Sequence, residues 1–245
     1  MSIYHPTDPA LFLEWDSNFF GHRIARVVSH NMSENDATTI DAWALKNRID
    51  CVYYLADGND LHSTKAAEDH HYHQVDLRVT YRIDVKRLTI IEPKTTHIRK
   101  AKESDLPLLR AMTRYNHQIS RFFADDHFER EKCMELYEVW IDRDFHANNY
   151  LLWVWEENDQ PVAYTSVHLK PTDHTAEIGL VGVYTDYRGR GLGQNLQRWV
   201  LADLKKLGMD FVEVATQGRN ISAQNLYQKC EYRLKSINPW YHKWF

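Results

Sequence analysis

The stretch Val181-Gly182-Val183-Tyr184-Thr185-Asp186-Tyr187-Arg188-Gly189-Arg190-Gly191-Leu192-Gly193 constrains this chain more than any other part of it. An apolar, β-prone run passes straight into a turn rich in glycine and arginine, and a segment of helical periodicity follows at once. Glycine reaches backbone conformations closed to other residues, so such a turn can aim successive amides inward. A helix starting directly behind it adds its positive N-terminal end. The combination is a cradle for a diphosphate held mainly by main-chain donors, with Arg188 and Arg190 adding charge.

The missing residues narrow the ligand. A dinucleotide loop G-x-G-x-x-G would need glycine where Gln194 or Leu196 stands, and the Gly-Lys-Ser/Thr of a Walker loop is absent. What remains is R-x-x-G-x-G in Arg188, Gly191 and Gly193. Downstream, Leu192, Leu196, Trp199, Val200, Leu204 and Leu207 recur at helical spacing up to Gly208. Residues 211–216 read as a strand, and Asn220 reads as the N-cap of a helix over Ile221–Lys229. Upstream, Glu177-Ile178-Gly179-Leu180-Val181-Gly182-Val183 sets two glycines in a β-rich run, as expected where another backbone or a ligand must come close.

The pattern Arg188-x-x-Gly191-x-Gly193, followed by Asn220-x-x-Ala223-x-x-x-Tyr227 after one helix and one strand, resembles the two halves of the signature of the GNAT acyltransferases. That resemblance implies an α/β fold with a mixed, mostly antiparallel sheet and flanking helices. It implies acetyl-CoA as cosubstrate, no metal, and direct attack by a primary amine in a ternary complex. Arg188, Gly189, Arg190, Gly191, Leu192 and Gly193 would then hold the CoA diphosphate. Val181 and Val183 would offer main-chain groups to the pantetheine arm, Asn220 would help hold that arm, and Tyr227 would stand beside the thioester sulfur. A backbone amide near Val183 can serve the developing oxyanion, and Tyr227, a phenol of reference pKa about 10, can protonate the leaving thiolate. Glu177 and His168 are the candidate bases, with deprotonation through water as the alternative.

The GNAT-like part is expected over residues 96–245, starting at the strand His97-Ile98-Arg99, with a smaller α/β domain over 1–95 and a linker at 90–95 marked by Pro93. Helices are expected at 106–112 and 129–143, the latter with Leu136, Val139 and Trp140 on one side. Strands are expected at 150–156 and 162–169, and the chain should end on two strands after the Tyr227 helix. The first part reads as strands at 23–27, 51–56 and 76–85 around a helix at 35–46. Trp15-x-x-x-Phe19-Phe20-Gly21, Ser120-Arg121-Phe122, Trp140-Ile141 and Val214-Ala215-Thr216-Gln217 together resemble the TDP-fucosamine acetyltransferase family of surface-glycan synthesis. This implies a sugar-nucleotide acceptor, the 4-amine of a dTDP-linked 4-amino-4,6-dideoxy sugar, with Arg121, Phe122 and Tyr164 as sugar-side candidates. Cys230-Glu231-Tyr232 departs from the Gly-Phe that many GNAT members carry there. The alternatives are a GNAT acting on a protein amine, polyamine or drug, and a non-catalytic acyl-CoA sensor; the intact Arg188 loop, Asn220 and Tyr227 speak against the sensor.

Composition removes other classes. A net charge of −4 without a basic block gives no support for nucleic-acid binding. No stretch approaches a membrane span, and the N-terminus lacks a basic region followed by an apolar one. Cys51, Cys133 and Cys230 form no C-x-x-C pair, which suits a reducing cytoplasm and argues against structural zinc or disulfides. Asp69-His70-His71-Tyr72-His73 reads as a solvated run rather than a metal site. The expected partner is a small-molecule amine, with a homodimer left open.

Overall fold

The computed structural model describes residues 8–89, 93 and 95–245, so most of the expected linker at 90–95 lies outside them. The chain runs β1 (Ala10–Phe12), α1 (Glu14–Phe20), β2 (Ile24–Val27), α2 (Glu34–Lys46), β3 (Cys51–Leu55), α3 (Leu61–Asp69) and β4 (His73–Asp84). It continues with β5 (Ile98–Lys100), α4 (Leu106–Asn116), α5 (Arg130–His146), β6 (Tyr150–Glu157), β7 (Gln160–Lys170) and β8 (Thr175–Val183). The last elements are α6 (Leu192–Lys206), β9 (Phe211–Gln217), α7 (Ile221–Lys229) and β10 (Arg233–Trp244).

All these strands join one sheet in the order β1-β2-β3-β10-β4-β9-β8-β7-β6-β5. Pairing is antiparallel except for β2 with β3 and β8 with β9. The division expected near residue 95 is therefore one of sequence only. Strand β4, from the first part, lies between β9 and β10 of the second, and Ile24, Cys51 and Tyr53 share a core with Leu109, Phe122 and Leu136. The two closing strands are also one: β10 pairs with β4 and, from Trp240 to Trp244, with β3, absorbing register shifts at Leu234/Ser236 and Trp240/Tyr241.

Helix α6 follows its periodicity: Leu192, Leu196, Val200 and Leu204 are buried as the helix packs on β6, β7 and β8, in a core shared with Tyr227, and Gly208 closes the helix end with φ +82. Each such aliphatic side chain contributes about 1.5–3 kcal/mol on burial. Helices α4 and α5 bury Leu109, Met112, Leu136 and Ile141 in a second core that also takes in Leu152, Val154, Tyr164 and Leu180. Val139 departs from expectation and stays 38% exposed. The Trp15–Gly21 segment is helical, ended by Gly21 at φ +77, and sets the Phe20 ring 5.2 Å from that of Phe122 and 4.6 Å from that of Phe128.

The two glycines of β8 answer to side chains rather than to a ligand, a correction to the sequence reading. A Cβ on Gly182 would lie 2.4 Å from the Tyr164 ring and 2.5 Å from Asn116 Nδ2, and one on Gly179 would lie 2.7 Å from Ser166 Oγ. Gly182→Ala is therefore expected to destabilise the fold by about 1–3 kcal/mol in urea unfolding. A wild-type midpoint would show that the Tyr164 ring and β8 can part freely.

Candidate active site

Strands β8 and β9 pair in parallel from Thr175↔Phe211 only as far as Ile178↔Val214. Beyond that point β8 stays with β7, out to Ala163↔Val183, while β9 stays with β4, out to Arg78↔Gln217. The sheet thus forks, and residues 179–183 leave main-chain groups on the edge that turns away from β9. A cleft of about 700 Å³ opens there, lined by Val181, Val183, Arg188, Gly189, Gly191, Leu192, Gly193 and Asn220.

Gly189 and Gly191 stand at φ +77 and +78, with open space where a Cβ would be, and Gly191 is the N-cap of α6. No side chain caps this helix, so its first amides face the cleft without a side-chain partner. That is the donor set a diphosphate requires, and the fit to the CoA diphosphate and its amide-rich arm is good. Asn220 caps α7, its side chain accepting from Ala223 N at 3.1 Å, so its reach toward a ligand is set by a bond it already makes.

The arginines serve the loop itself. Arg188 donates from Nε to the Val183 carbonyl (3.2 Å) and from Nη2 to Asn116 Oδ1 (2.6 Å), tying the end of β8 to α4. Arg190 lies over Tyr187 and donates to the Asp186 carbonyl, and it does not line the cleft. Lys229 and Asn116 do line it, and sequence reasoning missed both. Neither belongs to a recognisable pattern; only the fold brings the ends of α7 and α4 to this mouth.

Tyr227 does not line this cleft; it belongs to the core that holds Ile178 and Val214, its ring 6.0 Å from that of Tyr81 and 5.7 Å from that of Tyr232. It is 4% exposed, and burial pushes its hydroxyl pKa well above the ordinary value, so the proton stays on the oxygen. Glu177 sits one residue before the strands part, facing its own cross-strand neighbour Glu213. One of its carboxylate oxygens binds Lys170 Nζ at 2.6 Å, and the other lies 3.9 Å from His168 Nδ1. His168 stacks on Tyr150 and contacts Asn149 through Nε2 at 2.6 Å, and it lines none of the clefts described here.

A second cleft, of about 300 Å³, is lined by Arg121, Phe122, Tyr137, Trp140, Trp240 and residues 215–217 of β9. It takes in two of the three sugar-side candidates. The third, Tyr164, is wholly buried and lines neither cleft: its hydroxyl meets His117 Nε2 at 2.9 Å and its ring covers Gly182. The segment joining α4 to α5 serves both openings, Asn116 and Ile119 in the first and Ser120 to Phe122 in the second.

The match to known proteins falls on these same elements. Residues 115–232 fit the acetyltransferase (GNAT) family. That match takes in 118 of the chain's 245 residues. It is 29% identical over 119 residues to an uncharacterized N-acetyltransferase of Bacillus subtilis (strain 168), covering 49% of this chain and 64% of that protein. It is 31% identical over 105 residues to the mycothiol acetyltransferase of Beutenbergia cavernae, covering 42% of this chain and 33% of that protein. The chain thus spans less than two thirds of the length of either curated relative. In fold, it overlays a GCN5-related N-acetyltransferase from Sphaerobacter thermophilus with a TM-score of 0.65 at 16% identity, covering 96% of this chain and 76% of that one. No helix among the described residues is long and apolar enough to cross a membrane.

Two histidines beside the clefts are held neutral. Burial lowers His117, against Tyr164 and Tyr137, to about 4. Burial also lowers His242 to about 4, with Arg121 and His127 adding to the effect and Asp125 opposing it. Between pH 6.5 and 4 the unfolded chain takes up protons that the folded chain refuses, so stability is complete above about 6.5 and falls as pH drops through that window. Two such groups give a slope of about 2.4 kcal/mol per pH unit near pH 5.5. Urea titrations at stepped pH check this, and His117→Gln should roughly halve the slope; a flat profile from pH 6.5 to 5 would refute it.

Proposed function

We propose that this chain is an acetyl-CoA-dependent N-acetyltransferase whose acceptor is the 4-amine of a dTDP-linked 4-amino-4,6-dideoxy sugar. The observation that carries the transferase reading is the fork between β8 and β9, with an uncapped helix and a left-handed glycine loop at its mouth. The sugar-nucleotide reading is supported by the second cleft, where an arginine and several aromatic rings stand together. Its other support is the Trp15–Gly21 motif, whose helix packs Phe20 against the cleft residue Phe122.

Bound in the first cleft, acetyl-CoA supplies an acyl group activated as a thioester. The amides at the start of α6 hold the diphosphate, and the free edge of residues 179–183 orients the arm. A Val183 main-chain amide faces the developing oxyanion. Glu177, on the sheet where the fork closes, takes a proton from the acceptor ammonium at a carboxylate oxygen. Tyr227, kept protonated by burial, gives its hydroxyl proton to the departing sulfur.

Acetyl-CoA should raise the melting temperature by mass action while NAD and ATP do not. Gly191→Val should erase that shift, because a β-branched residue cannot hold φ +78. An undiminished shift in this variant would remove the cofactor assignment. Tyr227→Phe keeps the ring, so acetyl-CoA binding should persist while turnover of the dTDP-amino sugar falls about 10²-fold. Wild-type turnover in a stable, cofactor-binding Phe variant would leave Tyr227 a core residue. Faster turnover of lysine peptides than of the sugar nucleotide would replace the acceptor.

A further inference from the structure

The guanidinium of Arg121 is enclosed by three rings, 4.1 Å from the centre of Tyr53, 4.2 Å from Phe122 and 4.5 Å from Trp240. It donates from Nη1 to His242 Nε2 at 2.7 Å and stands within reach of the Tyr53 hydroxyl. A guanidinium has five N–H donors and cannot shed its charge, so most of its donor capacity is unused by the fold. It forms no ion pair among the described residues. Asp16 and Asp76 sense its charge without pairing to it, Asp76 lining the same cleft beside Arg78, and Asp125 reaches it only through the imidazole.

That imidazole is fixed. His242 Nδ1 donates to Asp125 Oδ2 at 2.6 Å, the same oxygen takes Trp244 Nε1–H at 3.0 Å, and the His242 ring stacks on Tyr53 at 4.5 Å. With Nδ1 carrying the proton, Nε2 is left as an acceptor, which matches its contact with Arg121. His242 is 1% exposed and remains neutral at ordinary pH, so it fixes the guanidinium without cancelling its charge. A buried carboxylate in its place would have neutralised Arg121. The arrangement keeps a partly desolvated cation, in fixed orientation, on the wall of the second cleft.

We propose that Arg121 binds an anionic group carried by the acceptor amine, a phosphate or a carboxylate, and that Asp125 and His242 are positioning residues that present it. This rests on the N-acetyltransferase reading, in which the second cleft takes the acceptor. The planar fork of arginine matches both oxyanions in a bidentate contact, and the Trp140 and Trp240 rings offer stacking area to a ring on the same substrate.

The test is a calorimetric titration of the full chain in saturating coenzyme A, which fills the first cleft, with dTDP and, separately, succinate. Binding of dTDP alone identifies a phosphate, and binding of succinate alone a carboxylate. Arg121→Gln should weaken the bound probe at least tenfold, and Arg121→Lys, which keeps charge but not the fork, should weaken it several-fold. His242→Phe should weaken it as well, whereas His242→Gln, which can still accept from Arg121 and donate to Asp125, should restore most of the affinity. A purely structural role for His242 would give no such rescue. The melting shift with acetyl-CoA serves as the folding control for each variant. Failure of both probes to bind the wild type, or wild-type affinity in folded Arg121→Gln, overturns the proposal. Loss of the acetyl-CoA shift in the wild type with probe binding intact would instead sink the transferase reading and leave the anion site standing.

Discussion

A buried hydrogen-bond junction at Ser166 underlies the site. Strand β8 carries a bulge in its pairing with β7, where Gly179 and Leu180 stand opposite the single residue Ser166. Its hydroxyl donates to Asp144 Oδ2 at 2.6 Å and accepts from Leu180 N at 2.8 Å, while Gly179 leaves room for it. A bulge bends its strand and sharpens the local twist. Here it lies in β8 directly after Ile178, the last residue paired with β9, so the bend falls where β8 turns away from β9. The wholly buried Asp144 makes the junction costly to break, since removing Ser166 would leave its Oδ2 without that donor while Oδ1 keeps Arg143.

From that fork the two clefts follow. The first opens toward the helix dipole of α6 and the glycine loop; the second opens toward the α4–α5 connection and the aromatic wall built by β10. They approach one another along β9, whose residues 215–217 line the second cleft just past the last pair with β8. Charge is arranged differently at the two. Main-chain donors dominate the first, because Arg188 and Arg190 are bound to the loop that carries them. Charged side chains line the second, Arg121 held by His242 with Arg78 and Asp76 beside it.

The legible elements were those governed by neighbours in sequence. The Asn220 cap and the helix Ile221–Lys229, the α6 periodicity and the turn conformations at Gly189 and Gly191 depend on residues a few positions apart. Side-chain placement across strands was harder to read. Gly179 and Gly182 looked like places for a ligand because a glycine in a strand marks close approach without saying by what; Ser166 and Tyr164 come from the neighbouring strand. Tyr164, a sugar-side candidate by resemblance alone, is held in the core by the same contact with Gly182.

The sequence by itself determined the anion-binding turn, the helices on either side of β9 and the mixed α/β class, since each rests on local backbone preference and periodicity. Only the tertiary structure decided that the N-terminal strands are not a separate unit but complete the sheet around β10. Likewise, only the tertiary structure sets His242 and Asp125 behind Arg121, residues separated by more than a hundred positions for which no spacing rule exists. Long-range pairing is fixed by which faces can be buried together, and that is a property of the whole chain rather than of any window within it.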